Sequence, residues 1–333
     1  MKCTVIGGGS WGTALASVLA STGEVMLWAR DLAVVESINT SHRNCKYQSD
    51  LSLPSVLRAT HSLSEAVKEA DLVLMVVPSH VMRRIAAECV PYLKPGALVV
   101  SASKGIENET LMTMEEVLSE SLPRACRSDL AFLSGPSFAR ETIQRQATAV
   151  TVAARFPDVA AEVQRYMTTS FFRVYTTEDV TGVELGGSLK NVIAIASGVA
   201  DGLGLGHNSR AALITRGVAE ITRLAVKMGA NPLTLSGLSG MGDLILTCTG
   251  GLSRNRRVGV ELGKGRSLTE IIQEMNEVAE GVKTAKSAFD LSIREGVDMP
   301  ITHEVYRMLY EDKSPMTSLR DLMSRDLKGE RDQ

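Results

Sequence analysis

The amino-terminal stretch constrains what this chain can fold into more than any other. Lys2-Cys3-Thr4-Val5-Ile6 is short and apolar enough for a buried parallel strand, and it runs straight into Gly7-Gly8-Gly9-Ser10-Trp11-Gly12. Thr13 to Ala20 then reads as a helix, so Gly7, Gly9 and Gly12 stand in a G-x-G-x-x-G frame between a strand and a helix. Gly7 permits the tight turn, Gly9 has no Cβ to block an approaching pyrophosphate, and Gly12 lets the helix pack closely on the strand. The positive end of that helix faces the phosphates. A lone frame of this kind also occurs in plain strand-to-helix turns; its context here points to dinucleotide binding.

The rest of the first half alternates strands and helices. Strands are expected at Glu24–Trp28, Leu57–Thr60, Asp71–Val77, Gly96–Ser101, Leu130–Ser134, Thr148–Val152 and Phe171–Tyr175, with a helix from about Asp158 to Met167. The continuous apolar run Leu72–Val77 suits a strand buried on both faces. A short helix should start after Ser62, with Glu65 completing a capping box. From Val183 onward the period becomes helical: Leu189, Val192, Ile193, Ala196 and Val199 share one face, and further helices are expected over Leu268–Glu277, Val282–Arg294 and His303–Glu311. The expected fold is α/β: an N-terminal doubly wound, Rossmann-type sheet over residues 1–182, followed by an all-α, substrate-binding domain over 183–333. Two glycine clusters are decoys. Gly202–Gly206 follows a helix, and Gly263-Lys264-Gly265 lacks the spacing and the Ser or Thr of a phosphate loop.

Composition removes several function classes. A formal net charge of −2 gives no reason to expect nucleic acid or an anionic membrane surface, and 4% aromatics argue against base stacking. No apolar run is long enough to span a bilayer, and no leader precedes the first strand, so a cytoplasmic, not membrane-embedded protein is expected. Five scattered cysteines without a C-x-x-C pair read as reduced, mostly buried thiols, and the histidines show no metal-ligand spacing. No metal is expected.

The second strand ends Leu27-Trp28-Ala29-Arg30-Asp31. Arg30 could pair with a 2′-phosphate, which favours NADP(H) with NAD(H) possible, or be a solvated charge; Asp31 could cap the next helix. Reducing a carbonyl also requires a group that manages the oxygen's proton. Lys104, at the carboxyl end of a strand, and Lys190, at the start of the helical half, are the candidates, each weighed against an ordinary surface lysine. Burial beside another cation would lower the pKa of such a lysine toward a useful value. Ser253-Arg254-Asn255 before a helix reads as a phosphate clamp or a plain basic helix start. Asp243, on a glycine-bent backbone, could accept a hydroxyl or cap a helix.

These blocks together closely resemble the bacterial NAD(P)-dependent sn-glycerol-3-phosphate dehydrogenases. The matches are Gly9 to Ala16, Ala102 to Glu107, Leu133 to Ala139, Leu185 to Ala194, Gly237 to Thr247, Ser253 to Arg256 and Ala279 to Val282, in one order along nearly the whole chain. Ser188 stands where Ala is expected and His80 where Gln is common, and neither carries assigned chemistry. The resemblance implies interconversion of sn-glycerol 3-phosphate and dihydroxyacetone phosphate, supplying phospholipid biosynthesis. It implies Lys190 as the catalytic proton acceptor in alcohol oxidation and donor in ketone reduction. It places Gly9, Ser10, Trp11, Arg30, Lys104, Ala139, Arg254, Val278 and Glu280 on the dinucleotide. Lys104, Gly135, Ser137, Lys190, Asp243, Ser253, Arg254 and Asn255 would touch the substrate. A homodimer is a further expectation. The alternatives are a dehydrogenase of another phosphorylated or carboxylated hydroxy compound, and a non-catalytic NADPH-sensing protein, which would need to keep only the glycine turn.

Overall fold

The computed structural model describes residues 2–275, 279–327 and 329–330. The chain separates into two compact units: residues 1–104 with 112–183, and residues 105–111 with 184–333.

The first unit is built on an eight-stranded sheet in the order β3-β2-β1-β4-β5-β6-β7-β8. The strands are β1 (Cys3–Ile6), β2 (Val25–Trp28), β3 (Leu57–Thr60), β4 (Leu72–Met75), β5 (Leu98–Ser101), β6 (Leu130–Ser134), β7 (Thr148–Ala153) and β8 (Phe172–Thr177). All neighbours pair in parallel except β6 with β7, where Leu133 faces Val152 in an antiparallel ladder. Side-chain alternation explains why the strands are apolar throughout. Leu72 and Leu74 enter the core on one face with Val5, Leu27 and Val100, whereas Val73 and Met75 enter that on the other face with Ile6, Val99 and Phe132. Helix α1 (Ser10–Leu19) covers the first face through Ala14, Leu15 and Val18. β1 lies between β2 and β4, so the strand order reverses beside it, at the position where open α/β sheets hold ligands at the strands' carboxyl ends.

Helix α2 (Leu32–Ser41) follows β2, with Asp31 as its N-cap. The helix after Ser62 spans Leu63–Val67, and Ser62 Oγ accepts from the Glu65 N–H at 3.3 Å. The expected capping box is only half made: the Glu65 carboxylate takes the Thr60 hydroxyl at the end of β3, and the Ser62 N–H goes to Thr60 Oγ1 at 3.1 Å instead.

The second unit is helical, with no strand among its described residues. Its longest helix, Val180–Gly202, begins within the first unit; from Leu185 to Ala200 every residue is buried, including the polar Ser188, Lys190, Asn191 and Ser197. Around its buried side chains pack Ile221 and Leu224 of the helix His207–Lys227, Val258 and Leu262 of Arg254–Gly263, and Ala285 and Leu291 of Glu280–Glu295. The contact with Arg254–Gly263 is backbone against backbone: a Cβ on Gly198 would lie 2.0 Å from the Arg256 carbonyl oxygen. The helix starting at Leu268 ends at Glu274, and the expected extension to Glu277 runs outside the described residues. Among the described residues, no helix is long and apolar enough to cross a membrane, and no cluster of His, Cys, Asp and Glu could hold a metal ion.

Candidate functional site

In the sheet unit, the turn after β1 is shaped by contacts that leave no room for side chains. Gly7 sits at φ +134°, and a Cβ there would meet the Val76 carbonyl oxygen at 2.4 Å. A Cβ on Gly12 would lie 1.8 Å from the Gly7 carbonyl oxygen, so α1 starts hard against the turn. Gly9 differs: nothing stands within 4 Å of the position its Cβ would take. Packing within the protein does not require a glycine there, but a ligand lying on the backbone does. Gly9 is the N-cap of α1, whose first N–H groups and dipole favour an anion. Ser10 and Trp11 are the first residues of that helix, and Trp11 packs against the core on this face. An open cradle over Gly9 at a helix N-terminus fits a dinucleotide pyrophosphate.

Arg30 is exposed just beyond β2. Asp31 caps α2, accepting from the Ala33 N–H at 2.9 Å, and also forms an ion pair with Lys46. Three other expected residues converge beyond β5 and β6. Lys104 Nζ donates to the Gly135 carbonyl at 3.3 Å, and Ser137 Oγ donates to the same oxygen at 3.0 Å. Gly135 is held at φ +149° with Val150 Cα 2.8 Å from where its Cβ would be, so no other residue fits. Ala139 opens the short helix Ala139–Ile143 beyond them.

In the helical unit, the site is a buried polar cluster. Lys190, 7 % exposed, forms an ion pair with Asp243, 1 % exposed, and donates to Thr247 Oγ1 at 2.8 Å. Thr247 in turn donates to the Asp243 carbonyl at 2.6 Å, one turn back in the helix Asp243–Thr249. Lys190 thus has a carboxylate beside it. The carboxylate and the Thr247 hydroxyl hold the Lys190 nitrogen in one place. The glycine-bent backbone before Asp243 is a single π-type turn, Leu238–Gly242, which delivers the carboxylate to Lys190. Next to the cluster, burial pushes the Cys248 thiol up to about 12, so it stays neutral.

A second set of amides adjoins Lys190 in sequence. Asn255 Nδ2 donates to Asn191 Oδ1 at 2.8 Å, and Asn255 Oδ1 accepts the Gly281 N–H at 2.9 Å. Asn255 thus ties the helices carrying Lys190 and Glu280 to its own. Ser253 caps the helix Arg254–Gly263, its Oγ accepting from the Arg256 N–H at 3.2 Å, and Arg254, the first helical residue, is exposed. Arg256 is anchored by Asp201, with Nε to Oδ2 at 2.8 Å. Glu280 is the first residue of its helix; Val278 lies outside the described residues.

Sequence reasoning assigned no role to Thr247, Asn191, Asn44 or Lys46. Thr247 had a local signal, since four residues past Asp243 it shares that residue's helix face. Asn191 and Asn44 had none, because their partners are distant in sequence.

The geometry agrees with what comparison with known proteins reveals. A family model described as NAD-dependent glycerol-3-phosphate dehydrogenase N-terminus matches residues 2–160, and the corresponding C-terminus model matches residues 179–320. The glycerol-3-phosphate dehydrogenase [NAD(P)+] of Myxococcus xanthus is 56% identical over 331 residues, 99% of each chain. That of Geobacter sulfurreducens is 55% identical over 328 residues, 98% of each. The crystal structure of glycerol-3-phosphate dehydrogenase from Coxiella burnetii superimposes with a TM-score of 0.92 at 36% identity, covering 97% of this chain and 99% of that one. Two domain models in order and full-length identity above one half leave a single assignment: the chain belongs to the NAD-dependent glycerol-3-phosphate dehydrogenase family.

Proposed function

We propose that the chain interconverts sn-glycerol 3-phosphate and dihydroxyacetone phosphate with a nicotinamide dinucleotide, NADP(H) favoured and NAD(H) accepted. The observation that carries this reading is the buried Lys190–Asp243–Thr247 cluster in a chain of this family. When bound, the nicotinamide supplies or accepts a hydride at the substrate's middle carbon. Lys190 donates its proton to the carbonyl oxygen during reduction and takes the hydroxyl proton during oxidation. Asp243 keeps the ammonium in place between turnovers, and Thr247 fixes its direction. Lys104, Gly135, Ser137, Ser253, Arg254 and Asn255 are assigned to the substrate, with Arg254 the bidentate partner for phosphate. Gly9, Ser10, Trp11 and Arg30 would hold the dinucleotide, with Lys104, Ala139, Arg254, Val278 and Glu280. Ala139, Val278 and Glu280 rest on the family resemblance. Arg30 supports the preference for a 2′-phosphate. A cytoplasmic homodimer whose product supplies phospholipid synthesis completes the reading.

The test is product identification. Dihydroxyacetone phosphate with NADPH, and separately with NADH, should lose nicotinamide absorbance in step with the appearance of sn-glycerol 3-phosphate. Consumption of NADPH only with some other hydroxy or keto compound would overturn the substrate. Tight NADPH binding with no consumption would favour a sensor.

A further inference from the structure

The loop that follows α2 is fastened to the glycine turn by one side chain. Asn44 is fully buried, at 0 % exposure. Its Nδ2 donates to the Gly8 carbonyl at 3.0 Å and to Thr13 Oγ1 at 2.8 Å. Its Oδ1 accepts the backbone N–H groups of Lys46 at 3.3 Å and Tyr47 at 3.1 Å. With both ends of the amide engaged, its orientation is fixed, and residues 44–47 are pinned to the turn that carries Gly9. The adjacent Cys45 Sγ donates to the Ala33 carbonyl of α2 at 3.5 Å.

This anchoring brings Lys46 to the end of β2. Its ammonium pairs with Asp31, the residue after Arg30. In dinucleotide folds of this kind, an acidic side chain beyond the second strand takes the ribose hydroxyls and repels a 2′-phosphate. Here that carboxylate is engaged twice, by Lys46 and by the Ala33 N–H, and the Lys46 bond holds it below its usual range. Lys46 and Arg30 set two cations against one carboxylate. The Lys46 and Asp31 side chains are 52 % and 38 % exposed, so their pairing is weak enough to be exchanged for another anion.

We infer that Lys46 is a specificity-determining residue of the dinucleotide site. It is shared between Asp31 and a 2′-phosphate, it neutralises the acid that would otherwise reject that phosphate, and Asn44 positions it. The inference rests on the dinucleotide reading above. It concerns the choice between the two dinucleotides, which Arg30 alone does not settle.

Equilibrium titration of the full chain with NADPH and with NADH, read by nucleotide fluorescence or calorimetry, tests it without catalysis. Lys46→Ala should weaken NADPH binding about five- to tenfold and NADH binding less than about twofold. Raising salt should shrink the NADPH advantage of the unmodified chain more than that of Lys46→Ala, in which only Arg30 of the two cations remains to be screened. Asp31→Asn retains a good helix cap, frees Lys46, and should tighten NADPH. If Lys46→Ala leaves the NADPH-to-NADH affinity ratio unchanged while both nucleotides still bind, the inference is overturned and the dinucleotide reading stands. If neither nucleotide binds the unmodified chain, both fall.

Discussion

In the sheet unit the candidate site is mostly backbone: a turn between Gly7 and Gly12, a helix N-terminus, and the Gly135 carbonyl on which Lys104 and Ser137 converge. In the helical unit it is mostly side chain. Lys190 reaches Asp243 across 53 residues of sequence and Thr247 across 57, and Asn255 reaches Asn191 across 64. A backbone site is damaged by adding atoms, whereas a side-chain site is damaged by removing them. That difference sorts the substitutions below, and each one can break it.

The largest effect on stability is expected from Asp243→Ala. It leaves the Lys190 ammonium buried without its anion, which costs about 3–5 kcal/mol. Denaturant unfolding measures the loss, and hydrogen exchange should locate it in the helix Val180–Gly202, with the sheet still protected. A loss below about 1 kcal/mol would mean that water already reaches the pair. Glu220 is expected to come next. Its carboxylate accepts the Ile301 N–H at 2.7 Å and the Thr302 N–H and hydroxyl at 3.2 Å each, at the start of the helix Pro300–Tyr310. Burial nevertheless pushes the carboxyl from 4.5 up to about 7. The folded state therefore binds this proton more tightly than the unfolded chain does. Its contribution is full below pH 4.5 and is lost as pH rises through about 7, by roughly 3 kcal/mol. Urea midpoints across that window should fall with rising pH in the unmodified chain, and Glu220→Gln should remove this part of the slope. An identical slope in the variant would assign the titration to other groups.

Gly12→Ala reverses the logic, since a single added methyl would lie 1.8 Å from the Gly7 carbonyl oxygen. The strain should cost roughly 1–3 kcal/mol and weaken NADPH binding at least about tenfold, with hydrogen exchange in the helical unit unchanged. Equal damage to both units would erase the contrast between them.

The same contrast explains what the sequence revealed. The G-x-G-x-x-G turn was legible because all its parts are contiguous, and Leu72–Val77 because burial on both faces demands an unbroken apolar run. Lys190 and Arg254 stood out as polar residues in glycine-bearing or basic contexts. The role of Asp243 as the buried partner of Lys190 was not legible. A pairing across 53 residues leaves no local trace. The Glu65 carboxylate found Thr60, a partner just before the helix that a capping pattern does not consider. Asn44 was invisible for a different reason: an asparagine in a loop reads as a turn residue until the Gly8 carbonyl is seen against it. The antiparallel seating of β7 against β6 likewise has no signature in the composition of either strand.

The division of labour between backbone and side chain is tested most directly on Lys190→Ala, by measuring two quantities on one preparation: the NADPH dissociation constant, and the single-turnover rate of NADPH oxidation with saturating dihydroxyacetone phosphate. The expected result is an unchanged dissociation constant with a rate lowered about 10²–10⁴-fold, the loss of a general acid. A rate near that of the unmodified chain would contradict it and remove Lys190 from the chemistry.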